Sequence, residues 1–578
     1  MPGQRCGREL IPAFARTLEA KPHSPVYTMH KYFARRPWNV FNELISHYTV
    51  PGEIVLDPFC GGGVTIVESL KLRRRAIGVD VNPLATYVTE MECRPLDLDL
   101  FWGSFQQLAT KTREKIDSLY STKCASCGAD AVADWFEWDE QTNHIIRLKY
   151  DCSICGSSNE KLPTKHDFAV TSKIDRNFSK IVGQNHLWFP KTRIPRGDKT
   201  DSLLNQEMNY FFELFTKRNL LALSILHKKI SELSQGEAKD FLRFTFSSSL
   251  KWAGRQSHLR NRIVEGWALH AYWIYPKSLE INVWNTFERR AHAVARGKRY
   301  SNQHISASCR LGESWEDLTV GNASCLIWNR SSAKLPMPDE SVDAVITDPP
   351  YGGNVNYTEL SDYWFIWESE GTTIQKEEEI IVNRSRRKGL ADYERELTLV
   401  LEECHRVLKP NRCLVSTFNS KDARVVASFV IAASRAGFSL HPDGLLYQNP
   451  IRAYTTTFHA MQVGAFVGDF ILTFIKGKTA RKVVSDPTVE LDIIKGSVSR
   501  LVSEVIEGGV TEPGLREKAY RMLIPFLARN ANANLGSCRK AVDFFEQQIG
   551  KHESYFRSLT KEMVAIRRRR FSQKEKEG

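Results

Sequence analysis

Two patterns of apolar residues alternate along this chain. Short continuous runs, Ile54-Val55-Leu56, Ala76-Ile77-Gly78-Val79, Val342 to Thr347, Leu414 to Phe418 and Asp469 to Ile475, have the length and β-branched content of buried strands. Val64 to Leu70 has helical apolar spacing, and a second helix is predicted from about Leu397 to Leu408, ending before Lys409-Pro410. Strand, glycine-rich loop, helix and strand over residues 54–80 is the first crossover of a doubly wound α/β sheet. Between the early and late runs, from about 200 to 310, Phe211, Phe212, Phe215, Leu220, Leu223, Leu226 and Ile230 recur three and four apart, predicting helices. Beyond about 485, Ile493, Ile494, Val498, Leu501, Val502, Val505 and Ile506 mark another helix face, and Leu523, Phe526, Phe544, Phe545 and Phe556 continue the theme. The expected divisions are 1–95 and 311–480 for two halves of one sheet domain, 96–165 and 166–310 for insertions, and 481–578 for a helical C-terminal domain.

Two cysteine pairs define the first insertion. Cys124-Ala125-Ser126-Cys127 and Cys152-Ser153-Ile154-Cys155 are C-x-x-C knuckles, each followed by a glycine, Gly128 or Gly156, that permits a tight turn. Four thiolates with a 24-residue spacer suit a structural Zn2+ with no open coordination position; paired redox cysteines are the rival reading. The remaining eight cysteines show no paired spacing and are expected to be reduced.

Composition narrows the class. With 578 residues, 42% hydrophobic and 25% charged, the chain can build a large core in two to four domains. No run of eighteen apolar residues occurs and Met1 to Arg5 lacks a secretion segment, so the expected location is cytoplasmic, with no membrane partner. A net charge of +13 suits a polyanionic partner such as DNA and implies salt-sensitive binding.

The chemistry is concentrated in Asp348-Pro349-Pro350-Tyr351, at the end of the run Val342 to Thr347. An exocyclic amine of adenine or cytosine is a poor nucleophile because its lone pair is delocalised into the ring. A carboxylate accepting one N–H and a carbonyl accepting the other would turn that lone pair toward an electrophilic methyl group, which is catalysis by positioning and preorganised electrostatics. Asp348 and the Pro349 carbonyl are the candidate acceptors; Pro349 and Pro350 fix two φ angles and remove two N–H donors. Tyr351 offers a ring on which a base could stack, the base being flipped out of a duplex or single-stranded. A plain strand-to-turn junction is the alternative. The second motif is Asp57-Pro58-Phe59-Cys60-Gly61-Gly62-Gly63, followed about twenty residues on by Asp80-Val81-Asn82-Pro83, the spacing at which a carboxylate reaches ribose hydroxyls. A dinucleotide is disfavoured because the loop opens with Asp-Pro-Phe rather than Gly-x-Gly-x-x-Gly.

Together, Asp57 to Gly63, Asp80 to Pro83 and Asp348 to Tyr351 resemble the cofactor loop, ribose acid and catalytic loop of amino-methylating DNA methyltransferases, closest to prokaryotic adenine-specific methylases carrying a zinc ribbon. The likeness covers roughly 1–95 and 311–480, and is helped by Phe215 to Leu223. It implies a Rossmann-like class I methyltransferase sheet and S-adenosyl-L-methionine as donor, held by Asp57, Phe59, Gly61, Gly63, Asp80 and Asn82. The segment His30-Lys31-Tyr32, within His30 to Trp38, resembles the stretch that covers the methionine end of the donor. Asn322-Ala323 resembles the stretch beside its adenine, with Asn322 where Asp is more usual. The resemblance further implies N6-adenine methylation of DNA in a restriction-modification or phage-defence setting, with other subunits as candidate partners. Cytosine N4 methylation, an RNA-base methyltransferase and a non-catalytic DNA-binding subunit are the alternatives.

Two further segments are candidate DNA contacts. Lys251, Trp252, Arg255, Arg260 and Arg262, followed by Trp273, Tyr275 and Trp284, interleave cations with rings; the alternative is a packed helical insertion. Tyr357 to Arg387, with Trp364, Trp367 and Arg384, Arg386, Arg387 and Lys388, reads either as a flap over a flipped base or as a helix followed by a solvated loop. The basic run Arg567 to Arg570 could touch phosphates or form a solvated tail.

Overall fold

The structure is a computed structural model describing residues 10–305, 309–448, 468–477, 487–507 and 513–550. Phe556 and the run Arg567 to Arg570 lie outside the described residues. The strands are named in chain order: β1 Ile54–Asp57, β2 Arg75–Asp80, β3 Ser121–Lys123, β4 Asp130–Asp139, β5 His144–Asp151, β6 Ser158–Lys161, β7 His258–Arg260, β8 Ile263–Glu265, β9 Lys277–Ile281, β10 Leu311–Gly312, β11 Cys325–Asn329, β12 Ala344–Thr347, β13 Cys413–Phe418, β14 Ser439–Gln448 and β15 Asp469–Ile475.

Eight of them form the central sheet, in the order β10-β11-β2-β1-β12-β13-β15-β14. The first six run parallel, and β15 and β14 close the sheet as an antiparallel pair. Its central strands β1, β12 and β13 are buried along their whole length because both faces are covered. Val55 and Ile346 point into a core shared with helices Trp38–Tyr48, Val64–Lys71 and Pro83–Cys93; Leu56, Ile77 and Val345 point into the opposite core with helices Leu390–Val407 and Ala423–Arg435. From β1 the chain steps outward to β2 on one side, and on the other side β1 pairs with the much later β12. That reversal leaves a crevice at the carboxyl ends of β1 and β12, where open parallel sheets bind ligands.

Packing crosses the divisions expected from the sequence. The cysteine module is a five-stranded sheet, β3-β4-β5-β6, whose open edge is completed by β9 pairing with β4, so a strand near residue 280 belongs to a module expected to end at 165. A buried ion pair, Arg218 Nη1 to Glu280 Oε2 at 2.7 Å, ties that strand to helix Lys217–Ser231, and the Arg218 guanidinium lies 4.1 Å from the Phe136 ring centroid. At the other end, Leu523, Ile524, Phe526 and Leu527 share one core with Phe429 and Val430 of the sheet domain. The C-terminal helices therefore cover a face of the sheet rather than standing apart.

Several aromatic residues offered as DNA contacts are core. Trp284 is fully buried between Phe105 and Phe287. Trp364 and Trp367 sit on helix Tyr357–Glu368 with at most 1% exposure, Trp364 stacked on Trp267 at 5.2 Å, so this part of the expected flap is a packed helix. Trp273 is half exposed, and Arg260 and Arg262 stay exposed at the tip of the β7-β8 hairpin. Among the described residues, no helix is long and apolar enough to cross a membrane.

Candidate active site

The crevice is floored by the loop after β1. Cys60 N–H bonds the Val79 carbonyl at 3.0 Å and Gly63 N–H bonds the Cys60 carbonyl at 2.8 Å, which folds the loop back over β2. Gly61 and Gly63 adopt φ of +47° and +76°, where a side chain is strained. A Cβ on Gly63 would also lie 2.8 Å from Thr89 Oγ1. Arg35 braces the loop from outside: its guanidinium donates to the Gly62 carbonyl and pairs with buried Glu92 at 2.9 Å. We expect Gly63→Val to cost about 2–4 kcal/mol, as strain and overpacking add, read as a lowered urea midpoint. An unchanged midpoint would mean that the loop relaxes freely.

Acids ring the cavity above this floor. Asp57 is 3% exposed; its Oδ1 accepts the Phe59 N–H at 3.1 Å and the Thr347 hydroxyl at 2.6 Å. Burial pushes its pKa up to about 6, with those bonds opposing the rise. Asp80 Oδ2 accepts the Gly61 N–H and Oδ1 the Asn82 N–H, both at 2.9 Å, and burial raises its pKa to about 7 against these bonds. Asn82 caps helix Pro83–Cys93 through the Leu84 N–H and donates to Ser361 Oγ at 2.9 Å. Tyr32, Phe59, Gly61, Asn82, Asp348 and Pro350 also line the cavity, joined by Tyr357 and Glu379. Tyr32 and Tyr357 stack with ring centroids 5.8 Å apart.

The tetrad follows β12. Asp348 is held from three sides: Arg36 Nε donates to Oδ2 at 2.6 Å, Thr417 Oγ1 to Oδ1 at 2.6 Å, and the Tyr351 hydroxyl to Oδ1. The Pro350 carbonyl accepts the Tyr393 hydroxyl at 2.6 Å; of the tetrad, Asp348 and Pro350 line the cavity, and Pro349 and Tyr351 are not among its lining residues. Tyr351 stands behind the carboxylate, its ring covered on one side by the Arg36 guanidinium 5.0 Å from the centroid and edged by Phe418.

Several expected donor contacts lie elsewhere. His30 is buried, bonded to Ser247 Oγ and the Lys31 carbonyl, and stacked on Phe244; burial pushes its pKa down to about 3. Lys31 Nζ sits over the Phe33 ring at 4.8 Å. Asn322 and Ala323 precede β11, whose far end, Asn329, pairs with Asp80, so they lie at the opposite edge of the sheet, about 20 Å away at 3.3 Å per residue. At the crevice itself, Asn329 Nδ2 donates to the Asp80 carbonyl at 2.9 Å and Ser332 Oγ to the Pro58 carbonyl at 2.7 Å. Neither was visible in the sequence, because neither belongs to a spaced motif.

The four knuckle cysteines converge. Their Sγ atoms lie within 4.8 Å of one another, with Cys124 to Cys155 at 3.6 Å and Cys127 to Cys152 at 3.7 Å. Gly128 and Gly156 adopt φ of +75° and +70°, and their N–H groups bond the carbonyls of Cys124 and Cys152 at 3.0 and 2.9 Å.

Comparison with known proteins bears on the N-terminal half of this crevice. Residues 13–90, which carry Tyr32, the glycine loop and Asp80, match the family model described as DNA methylase, of the N6/N4 class. The likeness to that family is confined to this segment. The Type II methyltransferase M.MjaII of Methanocaldococcus jannaschii is 19% identical over 350 residues, 58% of each chain, so the match spans little more than half of that relative's length. Two solved structures of a Thermus thermophilus protein described as a DNA modification methylase, one a selenomethionine derivative, are 18% and 17% identical. They cover 27% and 29% of this chain and 53% and 67% of their own, at TM-scores of 0.15 and 0.14.

Proposed function

We propose that this DNA methylase transfers a methyl group from S-adenosyl-L-methionine to the N6 amine of adenine in a flipped-out DNA base. The observation that carries the reading is the placement around one cavity of Phe59, Gly61 and Gly62 of the glycine loop, their acid Asp80, and Asp348 and Pro350. When bound, the donor supplies an electrophilic methyl on a sulfonium. The cavity suits such a cation, since Asp57, Asp80 and Glu379 line it. Asp80 accepts the ribose hydroxyls, Phe59 and Gly61 shape the floor, and Tyr32 closes over it. Asp348 and the Pro349 carbonyl take the two amine hydrogens, and Tyr351 supplies the ring beside them. The +13 charge supports DNA as substrate, and the cysteine cluster supports a structural Zn2+ with no part in the chemistry. The name of the archaeal relative supports a modification or defence setting.

The test is transfer of labelled methyl to unmethylated genomic DNA and to total RNA, with the labelled nucleoside identified. Label in N6-methyladenine of DNA is the expected result. Label in N4-methylcytosine or in RNA would replace the substrate, and no transfer by protein that binds the donor would refute the enzyme reading.

The raised acids add a pH dependence. A carboxylate with a pKa near 7 is half protonated at neutrality and must lose its proton to accept ribose hydroxyls and face a sulfonium. Donor affinity should therefore fall as pH falls through about 7, by about tenfold between pH 8 and pH 6 in calorimetric titration. Asp80→Asn should weaken binding and flatten that slope; a slope that survives the substitution would assign the proton elsewhere.

A further inference from the structure

Asp348 is not the only carboxylate at this end of the sheet. Asp469 opens β15, which pairs antiparallel with β13, and a single guanidinium bridges the two acids: Arg36 Nε to Asp348 Oδ2 at 2.6 Å and Nη1 to Asp469 Oδ1 at 3.0 Å. Nη2 donates to the Tyr351 hydroxyl. All three acidic and basic side chains are less than one-fifth exposed. Two anions so close in a partly desolvated site repel one another strongly unless a cation sits between them. Burial raises the Asp469 pKa, with the Asp348 charge adding to the rise and Arg36 opposing it. Burial works against charge on Arg36 too, yet Asp348, Asp469 and Tyr351 outweigh it and hold the guanidinium firmly protonated.

We propose that Arg36 is a positioning residue for methyl transfer: anchored on Asp469, it holds the Asp348 carboxylate turned toward the target amine. The inference rests on the reading that Asp348 accepts an amine hydrogen. A carboxylate oxygen has two lone pairs; Arg36 takes one on Oδ2 and leaves the other for the amine, while the Thr417 and Tyr351 hydroxyls occupy Oδ1 and fix the rotation of the group. The arrangement needs a guanidinium, because three N–H groups must be aimed at three residues at once; a lysine ammonium is a point donor on a flexible stem. The groups facing the cluster are Asp469 from β15, neutral Thr417 from β13, Tyr351 from the tetrad, Asp57 from β1 and Tyr357 from helix Tyr357–Glu368. The nearby charges other than Arg36 are thus negative, and removing Arg36 leaves the two acids opposed.

The experiment is kcat and KM for methyl transfer to unmethylated genomic DNA at saturating donor and constant pH, for wild type, Arg36→Gln, Asp469→Asn and the double variant, with donor affinity and thermal melting measured on each. Arg36→Gln should lose about tenfold or more in kcat with KM for DNA within about threefold, as loss of a contact that orients the acceptor in the transition state requires. Adding Asp469→Asn removes the opposed charge and should restore part of the lost kcat. Donor affinity should change by less than about threefold, as a factor of three is under 1 kcal/mol. A loss in KM alone, a double variant no better than Arg36→Gln, or a fully active Arg36→Gln would each overturn the inference while leaving the methylase reading intact. A wild type that binds the donor but transfers no methyl group overturns both.

Discussion

Asp348→Ala is expected to lower methyl transfer by about two to three orders of magnitude, the cost of deleting one preorganised polar partner of a developing charge. Donor affinity should move by less than about threefold, since Asp80 and the glycine loop lie on other strands and are untouched. The fold should survive. Asp348 is a partly exposed side chain at the end of β12, and with it gone Arg36 retains Asp469 at 3.0 Å and the Tyr351 hydroxyl. Asp348→Asn makes a finer probe. It keeps one acceptor oxygen but loses the charge, and its amide must find acceptors among Arg36, Tyr351 and Thr417, all of which donate to this position. A loss between wild type and Asp348→Ala is expected. Single-turnover transfer of labelled methyl to DNA measures all three rates. If Asp348→Ala stayed within tenfold of wild type, the amine acceptor would have to be another group.

What was legible in the sequence was local. Asp57, Gly61 and Asp80 declare themselves because strand, glycine loop, helix and strand follow one another within thirty residues, and the structure gathers them by backbone bonds such as Gly61 N–H to Asp80. β15 was legible because five of its seven residues are apolar and only Thr473 interrupts them after Asp469. β14 was not: Pro442, Asp443 and Gly444 interrupt its alternation, and the register shifts between Leu440 and Leu445. Arg36 was visible only as part of a motif expected to cover the donor. Its partners Asp348 and Asp469 lie 312 and 433 residues away, and no spacing encodes a contact made by folding the two halves of a sheet together. The same limit explains β9, which joins the cysteine module from beyond the helices, and β11, a strand absent from the sequence reading that sets Asn322 at the end away from the crevice.

Stripping metal from the cysteine cluster should produce the largest structural effect. The sulfur separations of 3.6 and 3.7 Å fit a tetrahedral site, where bonds of about 2.3 Å give edges near 3.8 Å, and are far longer than the ~2.05 Å of a disulfide. Metal binding at such sites is worth on the order of 10 kcal/mol, and this free energy is folding free energy for the module it closes. One zinc per chain is therefore expected by elemental analysis. Cys152→Ser, or a strong chelator, should speed hydrogen exchange across β3, β5 and β6 by several orders of magnitude. β4 should lose less protection, because it is also held by five residue pairs with β9 and by the helices behind it. Donor affinity should stay within about threefold, since Asp80 and the glycine loop that follows β1 belong to the other sheet. DNA transfer is the informative readout. If it falls while donor binding holds, the cysteine module acts in presenting DNA; if both hold, it serves stability alone; and absence of zinc with unchanged exchange would reduce the four cysteines to packing.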